Sequence, residues 1–198
     1  MIDEDILKLI KPIIDCLVEL NISYCIGGSI ASSAYGFPRT TVDADLGTEI
    51  TNRHVDDLVK RLENDHFIQE SAIRDAIIHQ RSFNIIHLKT MFKIDVFVSK
   101  RRRFDNEANS RKRKEFLDDK KEFYFYLSSP EDTVLYKLEW YKIGGCASDR
   151  QWNDLIGVLK VQKHNLDKEY LLKWAKELEI SDLLEKAFID SGFEEDDK

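Results

Sequence analysis

Three aspartates in this sequence are spaced in a way that suits metal chemistry. Asp43 and Asp45 are two residues apart in the segment Thr41 to Leu46, whose β-branched and alternating residues predict a strand. Side chains two apart on a strand emerge on one face, with their α-carbons about 6.6 Å apart. Two carboxylates so placed repel each other unless a cation neutralises them, and Mg²⁺ prefers such oxygen ligands. The pair predicts a divalent-metal site, with solvated surface acids as the alternative.

The third aspartate interrupts an apolar segment. Asp95 lies between Ile94 and Val96 in the predicted strand Phe92 to Val98, where a charged side chain is unexpected. Binding the same metal ions as the first two aspartates would explain its presence, and a surface position on an edge strand is the alternative. Lys93 would share the face of Asp95 and compensate part of its charge.

A glycine-serine turn connects a predicted strand to a predicted helix. Gly27, Gly28 and Ser29 follow the short apolar segment Ile22 to Ile26 and precede the helical segment Ile30 to Tyr35. Amide groups at a helix N-terminus and the helix dipole favour an anion, and glycine allows phosphate to approach the backbone. The alternative is a tight turn in which Ser29 only caps the helix. The P-loop and GxGxxG patterns do not occur in the sequence.

Helix and strand patterns alternate in the first two thirds of the chain. Apolar spacing predicts helices at 4–20, 30–35 and 52–64. Strands are predicted at 22–26, 41–46 and 123–127, with a hairpin at 82–88 and 92–98. The segment 67–80 mixes both periods, and the basic stretch 99–121 is predicted to be partly helical.

Only helices are predicted after Ser128. They lie near 130–142, 150–163, 167–178 and 181–190. Pro130 stands where the first turn of a helix tolerates proline. The change of pattern predicts a domain with a mixed sheet over residues 1–127 and a C-terminal helical domain over residues 128–198.

The composition predicts a folded cytoplasmic protein. Hydrophobic residues make up 42% and charged residues 34% of the 198 residues, as in an ordinary globular chain. Cys16, Cys25 and Cys146 are widely separated, which indicates neither a disulfide framework nor a zinc knuckle. No apolar run approaches the roughly 20 residues that span a bilayer, and the N-terminus begins with acids unlike a secretory signal. We expect a reducing compartment and no membrane partner.

A basic cluster stands out in a chain whose formal net charge is −7. The net charge argues against general coating of nucleic acid, but it hides local patches. The basic residues are Lys100, Arg101, Arg102, Arg103, Arg111, Lys112, Arg113 and Lys114. They favour a phosphate-rich partner such as RNA, and a solvated helix face is the alternative.

Together these motifs resemble a known enzyme superfamily. The string GGSIASSAYGFPRTTVDADL resembles the signature of the polymerase-beta-like nucleotidyltransferases, in which paired acids follow a glycine-serine turn and a third acid lies on a neighbouring strand. The pattern is similar to small bacterial members, namely aminoglycoside nucleotidyltransferases and abortive-infection toxins. The strings SPEDTVLYKLEWYK and SDRQWNDLIGVL resemble the helical segment of the toxin branch.

The resemblance implies a fold and an activity. The fold is an α+β or α/β nucleotidyltransferase-like mixed sheet flanked by helices, with a helical domain after it that covers one side of the nucleotide cleft. The reaction transfers a nucleoside monophosphate from a nucleoside triphosphate such as ATP to a hydroxyl or phosphate acceptor on RNA, a small molecule or a protein. Pyrophosphate is the leaving group.

The resemblance also assigns residues. Asp43, Asp45 and Asp95 would be catalytic and would bind two Mg²⁺ or Mn²⁺ ions, with Asp95 helping to activate the acceptor hydroxyl. The residues that would bind the nucleotide are Gly28, Ser29, Arg39, Lys137 and Asp154.

Two departures and several alternatives accompany these assignments. No second acid stands next to Asp95, and the loop from Gly144 to Asp149 is short. Lys137 could be a solvated lysine on a helix face, and Asp154 could pair with Arg150 four residues before it. The rival function is a non-catalytic component of a toxin-antitoxin system that binds a nucleotide or a partner protein.

Overall fold

The computed structural model describes residues 4–116 and 123–193 and divides them into two compact units. The sheet unit contains the described residues of Ile2–Gly27 and Thr40–Leu127, and the helical unit contains those of Gly28–Arg39 and Ser128–Lys198. Leu127 and Ser128 therefore fall in different units, while Gly28–Arg39 groups with the C-terminal helices. That residues 1–127 and 128–198 form two functional domains stays a prediction.

Helices and strands alternate in the first two thirds of the described chain. The elements are α1 (Glu4–Glu19), β1 (Tyr24–Ile26), α2 (Gly28–Tyr35), β2 (Asp43–Thr48), α3 (Val55–Leu62), β3 (His66–Phe67), α4 (Glu70–His79), β4 (Ser82–His87), β5 (Lys93–Val98), α5 (Arg103–Arg111), β6 (Arg113–Phe116), β7 (Tyr124–Leu127), α6 (Pro130–Ile143), α7 (Asp149–Gln162), α8 (Lys168–Glu177) and α9 (Ser181–Ser191). Short 3₁₀ turns cover Asn52–His54 and Lys163–Asn165. Among the described residues, no helix combines the length and the apolar character that crossing a membrane requires.

The sheet unit contains a mixed sheet, which confirms the predicted fold class. The seven strands found among the described residues run in the order β3-β4-β5-β2-β1-β7-β6. Strand β2 pairs with β5 in parallel and β1 pairs with β7 in parallel, whereas the other neighbours are antiparallel. Because β5 lies between β4 and β2, Asp95 is on an interior strand. The alternative that placed it on an edge strand is therefore wrong.

Local patterns predicted most of the strands but not all of them. The hairpin is confirmed, since β4 and β5 are consecutive antiparallel neighbours. Two strands were not predicted, β3 with two residues and β6 with the sequence RKEF. Strand β6 has no apolar alternation, and its backbone pairing with β7 defines it. Residues 117–121, the end of the stretch predicted to be partly helical, lie outside the described residues.

Alternation along the central strands separates a core face from a polar face. Ala44 and Leu46 on β2, and Ile94 and Val96 on β5, are buried. Fully burying an aliphatic side chain stabilises a fold by about 1.5–3 kcal/mol relative to leaving it exposed. This alternation fixes which face of each strand is buried and leaves the intervening aspartates on the opposite face.

Close backbone packing organises the helical unit. Helix α2 packs against α6 and α7. A Cβ atom at Gly36 would lie 2.7 Å from the backbone nitrogen of Val158, which is closer than side chains are found. Glycine at this position therefore permits the end of α2 to approach α7.

Serine caps set the starts of α6 and α7, the two C-terminal helices that carry predicted site residues. Ser129 Oγ accepts a hydrogen bond from the backbone nitrogen of Asp132 at 3.1 Å, with Pro130 in the first turn of α6 as predicted. Ser148 caps α7 by accepting from the backbone nitrogen of Gln151. Such caps satisfy N–H groups that the first turn of a helix leaves unpaired.

Candidate active site

The three predicted aspartates share one face of the central sheet. Strands β2 and β5 are parallel neighbours, and their register places Asp45 opposite Asp95 and Asp43 opposite Lys93. All four side chains are half-buried and alternate with buried apolar residues on each strand. We call Asp43, Asp45 and Asp95 the carboxylate face.

A lysine supplies the counter-charge of the carboxylate face. Lys93 Nζ lies 2.7 Å from Asp95 Oδ2, and the two side chains are 42% and 18% exposed. The hydrogen bond to Asp95 raises the pKa of the Lys93 ammonium, as do the charges of Asp95, Asp43 and Asp45, while partial burial opposes the rise. The expectation that Lys93 would compensate part of the charge of Asp95 is therefore confirmed.

Two neutral side chains adjoin these acids. Thr41 Oγ1 donates a hydrogen bond to Asp43 Oδ1 at 2.9 Å. Asn84 on β4 is the register partner of Asp95 on the side away from β2. Sequence reasoning missed both residues. The spacing of Thr41, two residues before Asp43, was the signal that could have identified it.

The carboxylate face has the ligand chemistry that a hard divalent cation needs. Carboxylate oxygens are preferred ligands of Mg²⁺, and the ammonium of Lys93 shows that the face attracts positive charge. Within residues 4–116 and 123–193, no three His, Cys, Asp or Glu side chains are gathered closely enough to hold a metal ion as they stand. The two-ion site therefore stays a prediction that is supported by the chemistry of the donors.

Asp154 is the centre of a buried ionic cluster in the helical unit. Arg39 donates to it twice, from Nε at 2.8 Å and from Nη2 at 2.9 Å, and Lys137 Nζ donates at 2.8 Å. The side chains of Lys137 and Asp154 are only 6% and 8% exposed. Burial works against the charged carboxylate, but the hydrogen bonds and charges of Arg39 and Lys137 outweigh it, so the pKa of Asp154 lies below its usual range.

Two polar side chains also belong to this cluster. Arg39 Nη2 also donates to Ser29 Oγ, and Lys137 Nζ donates to Gln151 Oε1 at 3.2 Å. We call Ser29, Arg39, Lys137, Gln151 and Asp154 the Asp154 cluster. The cluster contains two cations and one carboxylate. Charged donors of this kind suit the binding of an anion such as phosphate.

The cluster brings together four of the five predicted nucleotide-binding residues. Gly28 begins α2 with a φ of 55°, a left-handed conformation that favours glycine. Lys137 is buried, so its interpretation as a solvated lysine is wrong. The partners of Asp154 are Arg39 and Lys137, so a simple pair with Arg150 does not explain it.

Other details of the Asp154 cluster were not anticipated. Ser29 lies within the first turn of α2, where its hydroxyl accepts from Arg39 instead of serving as the residue that caps the helix. Gln151 was missed, although its position three residues before Asp154 places both on one side of α7.

The predicted basic cluster contains structural as well as exposed cations. Arg102 forms an ion pair with Asp105 at 2.8 Å. Lys112 Nζ donates to Ser23 Oγ and Asn109 Oδ1, and burial lowers the pKa of Lys112. Lys100 is exposed in the segment before α5. We call the exposed members that lie in α5 or β6, or within two residues of them, the exposed basic group: Arg101, Arg103, Arg113 and Lys114.

Structural comparison places this architecture among known folds. The antibiotic-resistance factor ANT(2'')-Ia matches over 96% of both chains, with a TM-score of 0.53 and 12% sequence identity. An antigenic nucleotidyltransferase-like protein from Paracoccidioides brasiliensis matches over 91% of this chain and 90% of its own, with a TM-score of 0.53 and 17% identity. The chain has a nucleotidyltransferase-like fold.

The comparison confirms the fold that the sequence resemblance implied, and at these identities it establishes the fold alone. No protein-family model matches the sequence, and no curated protein matches it either. A place in the abortive-infection toxin branch stays a prediction, as do the roles of the individual residues.

Proposed function

We propose that this protein is a metal-dependent nucleotidyltransferase. It would move a nucleoside monophosphate from a nucleoside triphosphate to a hydroxyl or phosphate acceptor. The observation that carries the proposal is the pairing of Asp45 with Asp95 across parallel strands, with Asp43 on the same face. Three acids on one sheet face of a nucleotidyltransferase-like fold are suited to binding cations that act on phosphate.

The carboxylate face would bind two Mg²⁺ or Mn²⁺ ions. Bound there, the ions would neutralise phosphate charge and lower the pKa of the acceptor hydroxyl. A carboxylate oxygen of Asp95 would accept the proton of that hydroxyl. A bond would form between the acceptor oxygen and the α-phosphorus, and the bond from this phosphorus to the bridging oxygen would break. Pyrophosphate would leave with the bonding electrons.

The Asp154 cluster would hold the triphosphate. Arg39 and Lys137 supply the positive charges, and the backbone at Gly28 and the hydroxyl of Ser29 would add donors. Asp154 would be a positioning residue, because its bonds hold both cations in fixed orientations. Ordering the cations before the ligand binds reduces the entropy that binding must overcome.

We propose RNA as the acceptor. The exposed basic group could contact a phosphate backbone, because its four cationic side chains are exposed to solvent. A small molecule and a protein hydroxyl are the other acceptors that the same chemistry could serve.

The rival proposal is a binding module without catalysis, as in a toxin-antitoxin system. Such a module could use the Asp154 cluster to bind a nucleotide. It would have no need of three acids on one sheet face, whose mutual repulsion costs stability when no cation is bound. The carboxylate face therefore favours the enzyme.

Labelling separates these proposals. The protein is incubated with Mg²⁺, cell extract and each of the four nucleoside triphosphates labelled in the α-phosphate, and RNA, protein and small molecules are then fractionated. The enzyme should transfer label to one fraction with release of pyrophosphate, and Asp95→Asn should transfer label far more slowly. Label that remains in the triphosphate under all these conditions, despite demonstrated nucleotide binding, would favour the binding module.

A further inference from the structure

Lys93 is placed where it can compete with a cation for the carboxylate face. It lies directly opposite Asp43 and two residues before Asp95 on the same strand, so its side chain shares their face. Its ammonium contacts Asp95 Oδ2 at 2.7 Å. In the described structure a cation belonging to the chain thus occupies one of the oxygens that a metal ion would use.

The repulsion among the three aspartates explains why a cation at this position stabilises the sheet. Asp45 and Asp95 are register partners on adjacent strands, where like charges destabilise the pair. Three partly buried carboxylates without a counter-ion would repel one another and weaken the centre of the sheet. The positive charge of Lys93 offsets part of this repulsion. An entering divalent ion would be repelled by the same charge. It would have to displace the Lys93 ammonium from the Asp95 carboxylate.

We propose that Lys93 is a positioning residue that serves as the resident counter-cation of the carboxylate face. It holds Asp95 in the metal-free protein and releases it when Mg²⁺ or Mn²⁺ binds, so it sets the affinity for the ion. The inference rests on the metal requirement of the proposed function. Lys93 acts through Asp95 and takes no part in bond making.

Metal binding without nucleotide tests the inference. Titration calorimetry with Mn²⁺ alone compares the wild type with Lys93→Met, Lys93→Arg and Lys89→Met. Lys89 is an exposed lysine in the turn between β4 and β5, so its replacement removes the same charge from a nearby position. Lys93→Met should bind Mn²⁺ on the order of five- to tenfold more tightly, since solvent screens a partly exposed ammonium and limits the effect. Lys93→Arg and Lys89→Met should bind like the wild type.

Thermal unfolding supplies a second readout. Without metal, Lys93→Met should melt below the wild type because the acids lose their counter-charge, and saturating Mn²⁺ should remove the difference. A merely structural lysine would leave a deficit in the melting temperature that metal does not correct. If Lys93→Met fails to fold, Lys93→Gln serves the same comparison.

The possible failures are distinguishable. Equal Mn²⁺ affinity in Lys93→Met and Lys89→Met, or weaker binding in Lys93→Met, overturns the inference and leaves the proposed function intact. An absence of Mn²⁺ binding in the wild type and in Lys93→Met overturns the inference together with the metal requirement.

Discussion

Asp45 and Asp95 are direct partners on the parallel strands β2 and β5, although they are 50 positions apart in the sequence. Neither strand is at an edge of the sheet, so the backbone on both sides holds the two residues in register. The pairing of the strands keeps the two carboxylates close despite their repulsion, and the ammonium of Lys93 offsets part of that repulsion. This relationship determines which substitutions test the proposed chemistry.

Removing the paired acids of β2 should remove most of the combined effect of metal and nucleotide on stability. Mg²⁺ with a nucleoside triphosphate should raise the melting temperature of the wild type, because a ligand at 100 times its Kd stabilises the native state by about 2.7 kcal/mol. Asp43→Asn with Asp45→Asn should lose most of this rise and keep its fold, as measured by thermal unfolding and circular dichroism. Asp57→Asn with Asp65→Asn is the matched control, since both residues are exposed in the sheet unit. A full response in the β2 variant would contradict the assignment.

Asp95→Asn should separate binding from transfer. The amide keeps the size of the side chain but loses the charge that accepts the acceptor proton, an effect worth about 10²–10⁴-fold in general base catalysis. Nucleotide affinity should change little, because Asp43, Asp45 and the proposed triphosphate ligands of the Asp154 cluster are all retained. Both quantities are measured on one preparation by titration and by label transfer. Undiminished transfer would show that Asp95 is not needed for the proposed reaction. It would not contradict the proposed enzyme class.

Lys137→Met should weaken nucleotide binding strongly. The substitution keeps much of the side-chain volume and removes a buried charge that donates to Asp154 and Gln151. Hydrogen bonds to charged groups contribute about 1.5–3 kcal/mol, so the Kd for the triphosphate should rise roughly 10- to 150-fold. Lys142→Met is the control, because Lys142 is exposed on the same helix. Equal affinities of the two variants for the triphosphate, measured by calorimetry, would show that Lys137 has a purely structural role.

Neutralising the exposed basic group should weaken RNA binding and spare the nucleotide site. Replacing its four cations with glutamine should reduce the salt dependence of RNA affinity, with the logarithmic slope falling by roughly 0.7 for each phosphate of single-stranded RNA that the protein no longer neutralises. Fluorescence anisotropy at several salt concentrations measures the slope. The rise in melting temperature caused by the triphosphate should be unchanged.

A charge-matched variant controls for net charge. Four exposed lysines of the helical unit are replaced with glutamine in it: Lys160, Lys173, Lys176 and Lys186. This variant should keep the RNA affinity and the salt slope of the wild type. If RNA binding is weakened equally in both variants, net charge explains the effect and the exposed basic group is only a solvated surface.

Acidification should destabilise the fold through His66. Burial lowers the pKa of this imidazole from the ordinary 6.5, and His87 lowers it further, while the carbonyl of Leu62 and the charge of Asp65 oppose the shift. Between the folded pKa and 6.5 the unfolded chain binds more protons, so the free energy of unfolding rises with pH in this window. It should therefore decrease as the pH falls below about 6.5. Denaturant unfolding at a series of pH values should give a shallower dependence for His66→Phe, and identical curves would show that His66 does not contribute.

Local sequence carried much of the information about the sheet. The two-residue spacing of Asp43 and Asp45 determined that they share a face, because side chains alternate along every strand. The apolar segments around Asp95 predicted a hairpin, and β4 and β5 form it. The strand β6 was not predicted because its residues show no alternation of apolar and polar side chains. Its backbone pairing with β7 identifies it as a strand.

The partnerships of the candidate site were decided by tertiary structure. Arg39 and Asp154 are 115 residues apart, and the packing of α2 on α7 allows their bidentate contact. Periodicity could place Lys137 on a helix but could not show that this face is buried. By itself the sequence determined which residues have the right chemistry and which lie on one face of their own element, since those properties depend on composition and backbone period. The pairing of β2 with β5 and the burial of Lys137 depend on contacts between distant segments, which no local pattern encodes.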